Sequence, residues 1–422
     1  MPARRLPVRP NLEQLKHQAK DLLRALHQGD ASAVADLREY HPEPPDHAST
    51  KLAHAQLVLA RSYEAPSWPR LVHACHLVDA IWRDDPDAVR DLVTRHPTLL
   101  HEPALIRPGS NWGPPLTYAA NLGRDRIIAM LHQLGARDLE SALDRATLQG
   151  KIGTARTLHE MMGRPRPPAD ALGGPAYTLS ASGTAFLFDV GARVRDDSGQ
   201  RLAPVAVVLE SDSRKPVDKH AILEMYVRHG LELPDTPTMA LHRGRLDLLE
   251  QQLQRDPHLL QRTFSHEEIY PPELGCHDET LATHGTPLVG ATLLHMCVDY
   301  DEMEIARWLL DRGMNVDARA AVDAHGFGGH TALFATVVSQ PNFWMNHDGL
   351  PQVAPFTELL LDHGADPNAR ASLRKQLHPG YGPDTMHEYR DVTPLSWGER
   401  FHGRIFVSAP ALRLIAERGG RR

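Results

Sequence analysis

The chain has 422 residues, 41% of them hydrophobic and 23% charged, with a formal net charge of −7. That length exceeds what one globular core organises, so several domains or one elongated array must bury the apolar residues. The mildly acidic balance argues against nucleic-acid binding, which draws on a basic surface, and the lack of any run of roughly 18 apolar residues argues against a membrane span.

At the N-terminus, Arg4, Arg5 and Arg9 stand among prolines and read as a solvated tail. No apolar stretch follows, so no signal peptide is expected. Asn11 is placed to cap a helix over Leu12, Leu15, Ala19, Leu22, Leu23 and Leu26, which repeat at helical spacing. Residues 31–40 predict a second short helix, and Pro42, Pro44 and Pro45 break the chain after it. Leu52, Ala55, Leu57, Val58, Leu59 and Ala60 predict a third, and Ser67-Trp68-Pro69 opens a fourth.

Beyond residue 72 a phrase recurs: an apolar pair, two variable residues, a glycine and usually a small residue. It reads Leu131-His-Gln-Leu-Gly135-Ala136, Leu187-Phe-Asp-Val-Gly191-Ala192 and Tyr226-Val-Arg-His-Gly230-Leu231. It returns as Leu309-Leu-Asp-Arg-Gly313-Met314, Leu360-Leu-Asp-His-Gly364-Ala365 and Ile415-Ala-Glu-Arg-Gly419-Gly420. Such a phrase predicts a helix end, with leucines packed inward and glycine in a left-handed cap. Met161-Met162-Gly163 supplies another, so that Gly135, Gly163 and Gly191 stand 28 residues apart. Two units, ending at Pro97 and Pro257, replace the glycine with a helix-stopping proline.

A second phrase lies upstream of these ends. It appears as Thr292-Leu-Leu-His295-Met-Cys297, Thr331-Ala-Leu-Phe-Ala335, Thr393-Pro-Leu-Ser396 and Pro114-Pro-Leu-Thr-Tyr118-Ala-Ala120. After the second helix come Gly313-Met-Asn-Val-Asp317-Ala318 and Gly364-Ala-Asp-Pro-Asn368-Ala369. Together these resemble the ankyrin-repeat family, whose signature is T-P-L-H-x-A on a period of about 33 residues. The resemblance is strongest over 285–420 and clear again at 112–140, with degenerate copies between. It implies an all-α solenoid of helix–turn–helix units, about nine in number, over residues 73–422. Residues 1–72 would form a helical cap over one open apolar end, similar to a module of bacterial ankyrin proteins.

Long insertions between the units hold histidines and carboxylates. Residues 264–290 carry His266, Glu267, Glu268, His277 and Asp278; 318–330 carry Asp323 and His325; 370–392 carry His387. In the ankyrin layout these segments are neighbouring fingers, so the side chains would approach one another. Imidazole with carboxylate is what a metal site or an acid–base pair requires. Against this, no HExxH, CxxC or G-x-S-x-G pattern occurs. His295 and His330 sit in signature positions and read as structural. Trp112, Tyr118, Tyr270, Phe343, Trp344, Arg374 and Tyr389 are the candidate binding residues, because aromatics and arginine dominate interface hot spots.

Cys75, Cys276 and Cys297 are odd in number and far apart, so neither a disulfide framework nor a zinc pattern is expected. Free thiols fit the reducing cytoplasm. The resemblance implies a scaffold that binds a protein partner through its concave surface, without cofactor, nucleic acid or membrane. The alternative is an enzyme, or a metal or small-molecule binder, built on the three long fingers.

Overall fold

The computed structural model describes residues 4–107, 109–211, 213–277, 285–338, 352–376 and 385–422. The chain divides into two compact units, residues 1–167 and 168–422.

The first unit begins with α1 (Leu12–His27), α2 (Ala31–Tyr40), α3 (Leu52–Ser62), α4 (Trp68–Trp82) and α5 (Pro86–Arg95). Local chemistry sets their starts. Asn11 accepts from the Gln14 amide at 3.1 Å, Asp30 from the Ala33 amide at 2.9 Å, and Asp85 from the Ala88 amide at 3.0 Å; each satisfies an otherwise orphaned donor of the first turn. Leu15, Ala60, Leu71, Ala74 and Cys75 form one apolar cluster, and Leu26, Ala33, Leu37 and Val58 another. Then come α6 (Pro115–Leu122), α7 (Asp125–Gln133), α8 (Leu139–Leu148) and α9 (Ile152–Met161). α4 packs on α6 and α6 on α8, so the first helix of each pair stacks on the first helix of the next.

Two of the three N-terminal arginines, Arg4 and Arg9, depart from the expected solvated tail. The Arg4 amide donates to the Ser62 carbonyl at 2.8 Å, and its guanidinium pairs with the buried Asp36 at 2.9 Å. Arg9 pairs with Asp79 at 2.9 Å and lies over the Trp82 ring. The Tyr118 hydroxyl donates to the Val8 carbonyl. Residues 4–10 are therefore a strap bound to the helices, held by acids and a phenol that no local pattern announces.

The second unit contains the pairs α10 (Gly173–Thr178) with α11 (Ala181–Asp189), α12 (Val205–Leu209) with α13 (Pro216–Arg228), and α14 (Pro237–His242) with α15 (Leu246–Arg255). A short α16 (His266–Ile269) precedes α17 (Leu293–Tyr300) and α18 (Met303–Asp311). α19 (Ala332–Val337) and α20 (Pro355–Asp362) flank an undescribed segment, and α21 (Pro394–Arg400) pairs with α22 (Ala409–Glu417). α14 packs on α17, α17 on α19 and α19 on α21. Every glycine that closes the recurring phrase has a positive φ, from 82° at Gly163 to 109° at Gly135. The proline-ended helices α5 and α15 stop at Arg95 and Arg255. No helix among the described residues is long and apolar enough to cross a membrane.

One expected finger loop is built differently. Within 370–392, β1 (Ala371–Lys375) pairs antiparallel with β2 (His387–Val392), with Leu373 opposite Tyr389 and a bulge between Ala371 and Leu373. β1 alternates buried and half-buried residues. Its third inward residue is Lys375, which hides the period-2 pattern that would otherwise mark a strand.

Candidate functional site

The fingers of the second unit are joined through backbone. The Phe264 amide donates to the Ala291 carbonyl at 2.8 Å, and the Ala321 amide to the Gly290 carbonyl at 2.8 Å. The Gly328 amide donates to the Ser372 carbonyl at 2.7 Å, linking the hairpin at 319–331 to β1. Arg319 reinforces both, donating to the Gly329 carbonyl at 2.7 Å and the Arg370 carbonyl at 2.8 Å. The result is a row of fingers with fixed main chain.

The histidines and carboxylates singled out in the sequence are engaged in separate pairs, some local and some between distant segments. His266 is buried and donates to the His277 carbonyl at 2.9 Å. His277 lies against Glu210, with Nδ1 at 3.0 Å from the carboxylate and its amide donating at 2.6 Å. Glu268 accepts from the Ser265 amide at 2.8 Å and pairs with Arg262, closing its own helix start, while Glu267 is exposed. Asp323 turns the hairpin, accepting from the His325 and Phe327 amides at 2.8 and 2.9 Å, and pairs with Arg374 at 2.8 Å. Those amides, with Arg374 beyond them, hold its carboxyl below the usual range. His325 is exposed. His387 stacks on His402 with ring centroids 3.8 Å apart. Asp278 lies outside the described residues. Among the described residues, no group of three histidine, cysteine or acidic side chains could hold a metal.

Three of the aromatic residues expected at a surface are core instead. Tyr118 is fully buried, accepting from Trp82 Nε1 at 2.8 Å while donating to Val8. Tyr270 is buried and accepts from the Tyr300 hydroxyl. Tyr389 is buried against Trp397 and shares a 2.6 Å hydrogen bond with His402 Nδ1. A phenol whose hydroxyl finds an internal partner is as stable inside as any apolar ring, so residue type alone did not place it. Trp112 is half-buried beside Tyr118, at 4.9 Å between centroids, and Arg374 stands over Phe327. Phe343 and Trp344 lie outside the described residues.

Beneath the fingers is a network that the sequence reading missed. Lys219 of α13 is buried, with Nζ 2.8 Å from His242 Nδ1 and 3.7 Å from the Tyr300 ring centroid. His242 passes the link on, its Nε2 donating to the Ile269 carbonyl at 2.9 Å. Arg214 pairs with the buried Asp299 at 3.3 Å, and His220 with the buried Glu302 at 2.7 Å. The contacts run from α13 through α14 to α16 and α17, so charged side chains tie consecutive helix pairs at one register. Burial pushes the Lys219 ammonium down to about 7 against the pull of Glu302, and pushes Lys375 down to about 7 against Asp299. Burial also raises the thiols, Cys75 to about 11 and Cys276 to about 12.

A pH effect follows, with a definite sign. Unfolded lysine keeps its proton to about pH 10.4, whereas these two lose theirs near 7 when folded. The unfolded state therefore binds more protons above pH 7, and stability rises with pH, by about 1.4 kcal/mol per unit per lysine at most. The rise ends near the usual thiol range of about 8.5, where unfolded cysteines ionise and the folded ones do not. Urea midpoints measured from pH 7 to 8.5 are expected to climb, and Lys219→Met is expected to halve the slope; a flat wild-type profile would contradict buried, partly neutral lysines.

The pairing of α17 with α18, followed by a finger fixed to its neighbour, recurs along the unit. Residues 289–321, which span that pair, match the ankyrin repeat family. The chain contains an ankyrin repeat. Within its matched repeat, His295 behaves as that family's signature histidine is expected to: Nδ1 lies 2.8 Å from the Thr292 hydroxyl and Nε2 donates to the His330 carbonyl at 3.0 Å. No curated protein matches this chain. Among solved structures it is similar to the human ASB11 ankyrin repeat domain, at 16% identity and a TM-score of 0.26, covering 73% of this chain and 99% of that one. It is also similar to the ankyrin repeat domain of Bcl-3, a member of the IkappaB family, at 16% identity and a TM-score of 0.23, covering 65% of this chain and 97% of that one.

Proposed function

We propose that this ankyrin-repeat protein is a scaffold that binds another protein through the fingers of its second unit. Ankyrin repeats serve generally as protein-binding scaffolds, and one observation points to the fingers. Val289 and Val322 are exposed at 42% and 61%, although each adjoins a residue whose backbone is locked to the next finger. The Gly290–Ala321 hydrogen bond lies directly between their positions. Apolar side chains on an already ordered main chain lose little entropy on binding, which is the condition for a preorganised interface. Charged neighbours such as Arg390 and Glu388 are exposed as well and would form a polar rim.

The test is affinity capture with the intact chain and with Val289→Asp/Val322→Asp, whose fold is verified by circular dichroism. A specific protein is expected with wild type and should fall by about tenfold or more with the double variant, the loss expected of a central apolar contact. Equal recovery by the two would remove the finger face from consideration. Failure to recover any protein would remove the scaffold reading itself.

A further inference from the structure

The first unit contains a pocket that neither the repeat nor the fingers require. It has a volume of about 160 Å³ and lies between the N-terminal strap and the segments 104–107 and 109–113. Its apolar lining comes from Leu6, Val8, Tyr63, Leu105 and Trp112, and its polar lining from Arg4, Arg5, Arg107, Ser110 and Asn111.

Both walls are fixed. On the strap side, Leu6 packs with Tyr63 on the core, and the Val8 carbonyl is held by Tyr118. On the other side, the Ala104 amide donates to the Gly113 carbonyl at 2.9 Å, and the Ser110 amide to the Arg107 carbonyl at 3.0 Å. Between them Ile106 has φ +73°, a left-handed conformation that a β-branched residue adopts only when its surroundings impose it. Ile106 is buried in the core cluster, and its strained backbone delivers the next residue, Arg107, to the pocket.

The charges do not balance. Arg4 is neutralised by Asp36. The Arg5 and Arg107 guanidiniums and the Asn111 side-chain amide have no hydrogen-bond or ion-pair partner among the described residues, and no acidic side chain lines the pocket. Two uncompensated guanidiniums over an apolar floor select an anionic group on a flat hydrophobic body, since arginine pairs bidentately with carboxylate or phosphate and stacks on rings. The size limits the body: a cavity of about 150 Å³ holds one benzene ring, so one ring fits and a nucleotide does not.

We propose that this pocket binds a small aromatic anion, a ring bearing one carboxylate or phosphate. The site is separate from the finger face, so its occupancy does not depend on the scaffold reading.

Calorimetric titration of the full chain with phenyl phosphate and with benzoate tests it. Saturable binding of at least one is expected, with inorganic phosphate and benzyl alcohol each binding at least about tenfold more weakly, because each offers only half of the recognised chemistry. Arg107→Gln is expected to weaken binding about tenfold, the loss of one charge-assisted hydrogen bond, and Arg5→Gln/Arg107→Gln further still. Both residues lack partners, so the variants should fold normally by circular dichroism. Absence of saturable binding, equal affinity in the double variant, or inorganic phosphate binding as tightly as phenyl phosphate would each overturn the proposal.

Discussion

Replacing Gly328 with alanine is expected to break the link between the hairpin at 319–331 and β1. Gly328 has φ +118°, outside the range that side-chain-bearing residues prefer. A Cβ there would lie 2.0 Å from the Ala321 carbonyl oxygen, 3.0 Å from its carbon and 3.1 Å from Val322 Cα. All three atoms are backbone, so no rotamer change relieves the clash. The hairpin must open, and with it goes the Gly328–Ser372 hydrogen bond. The cost is expected to be about 3 kcal/mol or more, combining strain with overpacking. Gly313→Ala is the control: φ is +84°, yet an added Cβ would meet nothing within 4 Å. Only the left-handed backbone penalty applies there, about 1 kcal/mol. Urea unfolding of the two variants beside wild type measures the difference; equal losses would show that the close approach at Gly328 is not rigid.

Acid is expected to unfold the second unit well above the pH at which carboxylates titrate. His242, His295 and His330 are all fully buried. Burial pushes His295 down to about 4 and His330 down to about 3, and holds His242 well below the usual value. Folded, they stay neutral; unfolded, each takes up a proton near pH 6.5. The unfolded state thus gains protons as pH falls through 6.5, and the stability these histidines contribute above that pH is lost progressively toward 4 and 3. At pH 5 the loss is about 2 kcal/mol each for His295 and His330, and His242 adds to it in the same direction, a large share of the stability of an ordinary domain. Thermal melts between pH 7 and 5 are expected to show a steep fall in Tm. His295→Gln keeps a donor for the His330 carbonyl without the titration and is expected to shallow that fall. A Tm independent of pH over this range would mean that the imidazoles are protonated without unfolding.

The helical architecture was legible because its determinants are local. Leucines at helical spacing, the glycines at 135, 191, 230, 313, 364 and 419, and the threonines at 292 and 393 each act within one turn of their own position. What was not legible depends on partners far along the chain. Arg4 resembles any tail arginine until Asp36 is beside it. Tyr118, Tyr270 and Tyr389 resemble interface aromatics until their hydroxyls find internal partners. Lys219 occupies an ordinary helix position in sequence, and only the stacking of α13 on its neighbours brings it to His242 and Tyr300. Lys375 points inward from a five-residue strand and so disguised that strand as a loop. The histidine-rich insertions attracted notice as possible chemistry, yet His266 bonds a carbonyl of its own finger and His277 pairs with Glu210.

The bond from Tyr118 to the Val8 carbonyl spans 110 positions of the chain. Repeats otherwise assemble by contacts between nearest neighbours, which form as soon as each pair of helices exists. The strap cannot follow that order. On a ribosome adding about 5–20 residues per second, residues 4–10 precede Tyr118 and wait on the order of ten seconds for that phenolic anchor to be synthesised. During that interval the strap has only its partners at Asp36, Ser62 and Asp79, so a chaperone or a competing peptide meets a strap less firmly held than in the finished chain.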